Sequence, residues 1–398
     1  MANIFKRLYD YWAANFSFRN VYKFSNFLKL GFIYIVAVFW VIIVELEFSE
    51  NFWTKLLSNN LSSYRITIYT SNNTGEAVLA NRIRKVTSKM GIDYYSIIFN
   101  NNLSNFWLTR GLYYSVTNLV NYLFKPNFNL AVTHHVSIVP IGYNITYLNV
   151  PPIMLYDISG KFKPELRHLK EYDAYADLYS FVHGENKNLN NAIKLDSLQN
   201  KKIIPIYMAQ EFKDYSPPGG FKQALITGSL WGCNRNSLRI TNALKMLAAE
   251  DLLIAYGSPD YFKELGEGYK GSFDRLKGAL IDNLHTIQKE YGIALVIHSL
   301  EHMIEGIPTS RIMEASASGA LVICDQHYFI KKFFGDNVLY IDTIHPEEQI
   351  YKQVKAHILW AHNNPAEAQK KAKAAYEIFA ENFIIEKQFK FLIDQLNY

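Results

Sequence analysis

The stretch from Gly292 to Asp342 constrains this chain more than any other part of it. It opens with a short apolar run, Ile293 to Ile297, bounded by polar residues, which predicts a buried parallel strand. A polar loop follows, His298 to Pro308. Thr309 and Ser310 then stand where a helix N-cap belongs, with Ile312 and Met313 just inside. Ala315 to Ser318 gives that helix a small-residue face, and Gly319 ends it as a C′ glycine does. Leu321 to Cys324 reads as a second buried strand, closed by Asp325. Strand, loop, short helix and strand together imply a parallel α/β sheet.

The chemistry is expected at the corner between loop and helix. Glu314 is placed in the first helical turn, beside free backbone N–H groups and the positive end of the dipole. The hydroxyls of Thr309 and Ser310 point into the same space. Such a corner can hold an anion on N–H groups while a carboxylate binds sugar hydroxyls. It lies outside the carboxyl ends of the strands, where open α/β sheets bind ligands.

On the residues PTSRIMEASASGALVICD, followed by FFGDNVLYID, the chain resembles the C-terminal half of the GT-B glycosyltransferases of the group-1 type. That family carries a Glu-Ala-x-Ala-x-Gly run, a strand, and then a Gly-Asp/Glu-x-x-x-Tyr/Phe segment. The resemblance implies two Rossmann-like α/β domains facing a cleft, and a nucleotide-sugar as co-substrate with no other cofactor. It implies that Glu314 holds ribose hydroxyls and that the Thr309–Ser310 turn lies near the diphosphate. His298 and Arg311 join the expected donor-binding set. Retaining members carry a second Glu eight residues earlier; that place is Gly306 here, and Glu305, one residue away, is a further candidate. No D-x-D pair stands in the expected place, so no catalytic metal is expected.

Upstream, a turn-rich stretch from Ala209 to Lys222 with Pro217, Pro218, Gly219 and Gly220 at its middle is read as an interdomain linker, 209–222. The second domain, 223–342, then begins with a strand over Ala224–Thr227, a tight turn at Gly228 and Ser229, and a helix capped by Asn236. By resemblance this first loop supports the donor diphosphate, and Arg235 is assigned to it, because a guanidinium fork stays charged and suits phosphate oxygens. Leu252 to Gly257 is the next strand, and Tyr269–Gly271 is similar to the family's Tyr-x-Gly turn. After Asp342 the pattern is helical, 343–398, with Pro365 in a first-turn position.

The first domain, 64–208, opens with an alternating strand over Arg65–Thr70, a turn through Gly75, a helix presenting Val78, Leu79, Ile83 and Val86, and a strand over Ile92–Phe99. Gly75 is a further candidate for the loop facing the cleft. Three more apolar runs end in titratable residues: Asn129–Thr133 before His134 and His135, Pro151–Tyr156 before Asp157, and Leu178–Val182 before His183. Inverting transfer needs a base for the acceptor hydroxyl, and His134, His135 or Asp157 could serve.

Residues 1–63 differ from the rest. Basic and aromatic residues interleave up to Lys29, and a run without charge, LGFIYIVAVFWVIIV, extends from Leu30 to Val44. It is shorter than the ~20 residues of a spanning helix, and Phe27, Leu28, Leu46 and Phe48 lengthen it if Lys29 and Glu45 snorkel. A single membrane anchor is expected there, the side of the membrane left open, with an in-plane amphipathic segment or a buried soluble helix as the alternatives. The 398 residues suffice for two domains, and 49% hydrophobic content suffices for their cores. A net charge of +5 suits phosphate ligands or an anionic membrane and does not argue for nucleic acid. Two cysteines make no disulfide framework; Cys324 reads as a strand core residue. The expected function is sugar transfer from a nucleotide-sugar to a glycan, lipid-linked or protein acceptor. The alternatives are a catalytically degenerate GT-B fold acting as a membrane-tethered binding module, or a nucleotide-sugar epimerase.

Overall fold

The computed structural model describes residues 44–48, 55, 58, 64–71, 74–99, 122, 124–132, 145–147, 178–181, 214–228, 237–271, 279–305 and 308–396. The chain divides into two compact units; the first includes Met1–Val150, and the second includes Ile204–Tyr398.

The first unit is built on a six-stranded sheet. Its strands are β1 (Val44–Phe48), β2 (Arg65–Ser71), β3 (Asp93–Phe99), β4 (Phe128–Val132), β5 (Ile145–Tyr147) and β6 (Leu178–Phe181), in the spatial order β1-β3-β2-β4-β5-β6. Every pairing is parallel except β1 with β3. Ile66 and Ile68 of β2 are 0% exposed, and helix α1 (Thr74–Lys89), which packs on that strand, buries Leu79, Ile83 and Val86. Asp93 opens β3 almost fully buried and is neutralised by Lys55, Nζ to Oδ1 2.7 Å.

Two expectations change here. The sheet takes in Val44–Phe48, so Leu46 and Phe48 lie in an antiparallel edge strand instead of lengthening a membrane helix, and folded structure reaches into the segment 1–63. Among the described residues no helix is long and apolar enough to cross a membrane; the run before Val44 lies outside them. Gly75 falls within the first turn of α1 and not in the turn before it. The strand expected at Pro151–Tyr156 also lies outside the described residues.

The second unit carries a wholly parallel six-stranded sheet. Its strands are β7 (Gln223–Gly228), β8 (Leu253–Gly257), β9 (Tyr269–Gly271), β10 (Gly292–Val296), β11 (Leu321–Asp325) and β12 (Leu339–Ile341), in the order β12-β11-β10-β7-β8-β9. Order reverses between β10 and β7, which is where ligands collect in such sheets. β10 and β11 are buried along their whole length, as continuous apolar runs in parallel sheets are.

Helices cover both faces: α2 (Leu238–Ala249), α3 (Pro259–Phe262), α4 (Ala279–Tyr291), α5 (Leu300–Glu305), α6 (Ser310–Ala317) and α7 (Tyr328–Phe334), then α8 (Glu347–Asn363), α9 (Pro365–Asn382) and α10 (Ile385–Leu396). One core joins α2 and α8 to the sheet through Leu244, Leu247, Ile293, Leu295 and Ile358. The other joins α6, α7 and α9 through Met313, Ala315, Phe334, Ala375 and Phe379. Pro365 takes the first-turn position of α9.

The stretch read as a linker is packed from Asp214 onward. Gly219 N–H donates to Lys289 O at 3.3 Å, the Tyr215 and Tyr376 rings lie 5.2 Å apart, and Phe221 is buried in the core. The cap of α2 is Ser237 rather than Asn236. The loop expected from His298 to Pro308 contains α5, a helix too short to show a period.

Candidate functional site

The described candidates of the second unit stand at the end of β7 and after the end of β10. β7 and β8 end in paired glycines, Gly228 and Gly257. A methyl group at Gly257 would stand 1.8 Å from Gly228 O, so the two strand ends touch backbone to backbone. Gly228 has φ of +106°, and a methyl group there would stand 2.2 Å from Arg311 Nη2. The Arg311 guanidinium therefore lies against the bare Cα of Gly228. Only glycine permits both the dihedral and the approach.

Arg311 comes from the first turn of α6. Thr309 is its N-cap residue, with an extended backbone and no side-chain capping bond, and Ser318 and Gly319 (φ +71°) end it. Helix-start chemistry thus falls where the sequence placed it, with one correction. Glu314 lies one turn further in than expected, since the first turn holds no acidic residue. Its carboxylate meets Arg311 instead, Nη1 to Oε2 3.2 Å, and is only 8% exposed. Backbone N–H groups of a first turn carry partial positive charge, and a guanidinium beside them strengthens the anion site. The paired carboxylate of Glu314 can accept hydrogen bonds from hydroxyls.

At the end of β10 stands His298, wholly buried. Its Nδ1 lies 2.6 Å from Asp325 Oδ1, and its backbone N–H donates to Asp325 Oδ2 at 2.7 Å. Burial works to raise the Asp325 carboxyl, but the His298 ring and its two hydrogen bonds, with His327 nearby, hold it below the ordinary aspartate range. The His327 ring lies 4.2 Å from that of His298, tilted 32° to it. Its Nδ1 accepts from Phe329 N–H at the start of α7, and its Nε2 lies 3.1 Å from His302 O. The neighbouring Cys324 thiol is pushed well up by burial and by Asp325, which leaves it inert at neutral pH. Among the described residues no group of three or more His, Cys, Asp or Glu could hold a metal ion.

The structure thus gathers Gly228, Arg311 and Glu314 at one point and places Thr309, Ser310 and His298 on the same sheet edge. Glu305 is the last residue of α5. Ser229, Arg235, His134, His135 and Asp157 lie outside the described residues. Sequence reasoning did not single out Asp325 and His327 as site residues; the signal was an Asp closing one apolar run and a His closing the run before it.

Residues 255–394 match the family described as Glycosyl transferase-like. No curated protein matches the sequence. Among solved structures the chain is similar to a glycosyltransferase from Rickettsia africae ESF-5, with TM-score 0.54 and 10% identity over 84% of this chain and 98% of that one. Sucrose-phosphate synthase from Thermosynechococcus elongatus gives TM-score 0.53 and 10% identity over 84% and 99%. A mutant of S. aureus TarM, solved with UDP, Fondaparinux and alpha-GlcNAc-glycerol, gives TM-score 0.51 and 12% identity over 73% of this chain; the chain spans only 59% of TarM's length. At these identities the likeness speaks to fold.

Proposed function

We propose that this chain, a GT-B glycosyltransferase of the group-1 type, moves a sugar from a nucleoside diphosphate sugar to a glycan, lipid-linked or protein acceptor. The observation that carries the reading is the meeting of Arg311, Gly228 and Glu314 at the carboxyl edge of a parallel sheet. In this reading the diphosphate lies over the start of α6 against Arg311, and Glu314 accepts from the ribose hydroxyls. Sugar transfer breaks the anomeric C–O bond, and negative charge builds on the leaving diphosphate. A guanidinium and a helix N-terminus stabilise that charge as it develops. Ser229 and Arg235 complete the phosphate side of the proposal, and His134, His135 or Asp157 supplies the acceptor base. Residues 1–43, basic and aromatic before an uncharged run, are proposed to bring the enzyme to a membrane-presented acceptor.

The test is a thermal-shift titration of the whole chain with UDP, GDP and CMP, with UDP first because the TarM structure holds it. A ligand at ~100 times its Kd adds about 2.7 kcal/mol to stability, a readily measured shift. One nucleotide is expected to give that shift. Glu314→Ala should weaken it roughly 10- to 100-fold, as hydrogen bonds to a charged group contribute about 1.5–3 kcal/mol. Unchanged binding and turnover in Glu314→Ala would remove Glu314 from the site.

A further inference from the structure

Every polar atom of the His298 side chain and N–H is matched except one. Nδ1 faces the Asp325 carboxylate at 2.6 Å, and the backbone N–H donates to its second oxygen at 2.7 Å. Nε2 is buried and has no hydrogen-bond partner among the described residues. Buried polar atoms are nearly always satisfied, and an exception in a binding region asks for a partner that arrives with the ligand. One carboxylate accepts from both the ring Nδ1 and the backbone N–H, and the His327 ring packs against the imidazole at 4.2 Å, tilted 32° to it. Because an ionised Asp325 can only accept, Nδ1 donates to it, and Nε2 is left as a buried polar atom with no partner among the described residues. The complementary partner is a hydroxyl group, which can both donate and accept.

Position narrows the choice of hydroxyl. His298 follows β10, the strand between β7 and β11, two residues past the strand's end. It is on the edge that holds Gly228 and Arg311, and it comes from a different strand than either. Resting on the donor reading above, in which Arg311 and Glu314 take the diphosphate and ribose, we propose that His298 Nε2 hydrogen-bonds a hydroxyl of the sugar being transferred. Asp325 is its positioning residue. The ring is wholly enclosed, and His302 of α5 stands edge-on to it at 6.2 Å. The Nε2 contact is a specificity element: a site built around a sugar hydroxyl penalises the analogue that lacks it.

The experiment compares free diphosphates (UDP, GDP) with UDP-glucose, UDP-GlcNAc, UDP-galactose, GDP-mannose and their monodeoxy sugar analogues, by affinity to the whole chain. His298→Asn keeps a donor where Nδ1 stands and deletes Nε2; His298→Gln places an amide group near Nε2. In the unaltered chain one nucleotide-sugar should bind tenfold or more tighter than its free diphosphate, and removal of one particular sugar hydroxyl should abolish that increment. His298→Asn should abolish it too, leave free-diphosphate affinity within about threefold, and no longer distinguish the deoxy analogue. His298→Gln should recover part of the increment. An increment that survives in His298→Asn, or that no single deoxygenation removes in the unaltered chain, overturns the proposal while leaving the donor reading intact. Loss of free-diphosphate binding in a folded His298→Asn overturns it as well, because the ring would then serve the nucleotide. No binding of any nucleotide to the unaltered chain overturns the donor reading and this inference with it.

Discussion

At the scale of single residues, the second unit concentrates its charge chemistry in two buried or half-buried pairs, Arg311 with Glu314 and His298 with Asp325. The second pair makes stability depend on pH with a definite sign. The Asp325 pKa is lower in the folded chain than in the unfolded one, so the folded state holds its proton less tightly. Its contribution is full above the unfolded aspartate range, near ~4, and is lost as pH falls through the folded value. The melting temperature should therefore hold from pH 7 to about 5 and fall steeply below about 4. Asp325→Asn should be less stable at neutral pH and lose part of that acid limb. Melting curves across pH for the two proteins decide it; parallel acid limbs would remove Asp325 as a source of the dependence.

At the scale of elements, α6 shows how a short helix is made to serve a site. Its small residues let it sit close to β10, β11 and α9, which holds its N-terminus at the strand ends. Ala315 is 0% exposed in the core that Phe379 shares with the sheet. Ala315→Leu should cost about 1–3 kcal/mol as overpacking does. At ~2–4 °C per kcal/mol for a unit of this size, the melting temperature should drop by roughly 2–12 °C. A melting temperature unchanged within a degree would mean that the α6 face is looser than the contacts indicate. Elements of this kind were legible in the sequence because apolar runs, N-caps and stop glycines coincide: β2, β3, β7, β8, β10 and β11 fall within a residue or two of expectation. Short elements were not. β5 has three residues and α5 six, too few for a period to emerge, and α5 was read as loop. The edge strand β1 was hidden because an apolar run looks alike before a membrane or beside a sheet. Within the site, Glu314, Arg311 and Gly228 carried local signals, whereas His298 and Asp325 are 27 residues apart and meet only because β10 and β11 pair in register.

At the scale of the whole molecule, the second unit has its own cores, and among the described residues its sheet takes no strand from the first. C-terminal helices α8 and α9 close those cores, packing on α2, β12, α6 and β11. A fragment of residues 204–398, within the usual ~100–200 residues of a domain, should therefore melt cooperatively. It should also show the nucleotide shift of the full chain. Circular dichroism melting of the fragment, repeated with that nucleotide, is the check; a broad transition without a ligand shift would mean that fold and binding depend on chain before residue 204.

The touching glycines at the ends of β7 and β8 have a consequence for how such a chain can change. A side chain at Gly228 would strike the Arg311 guanidinium, and one at Gly257 would strike the facing backbone of Gly228. A single substitution at either therefore breaks a joint that no single substitution at the other can mend. Drift at this corner is confined to the loops beyond the joint and to the side chains that lean over it.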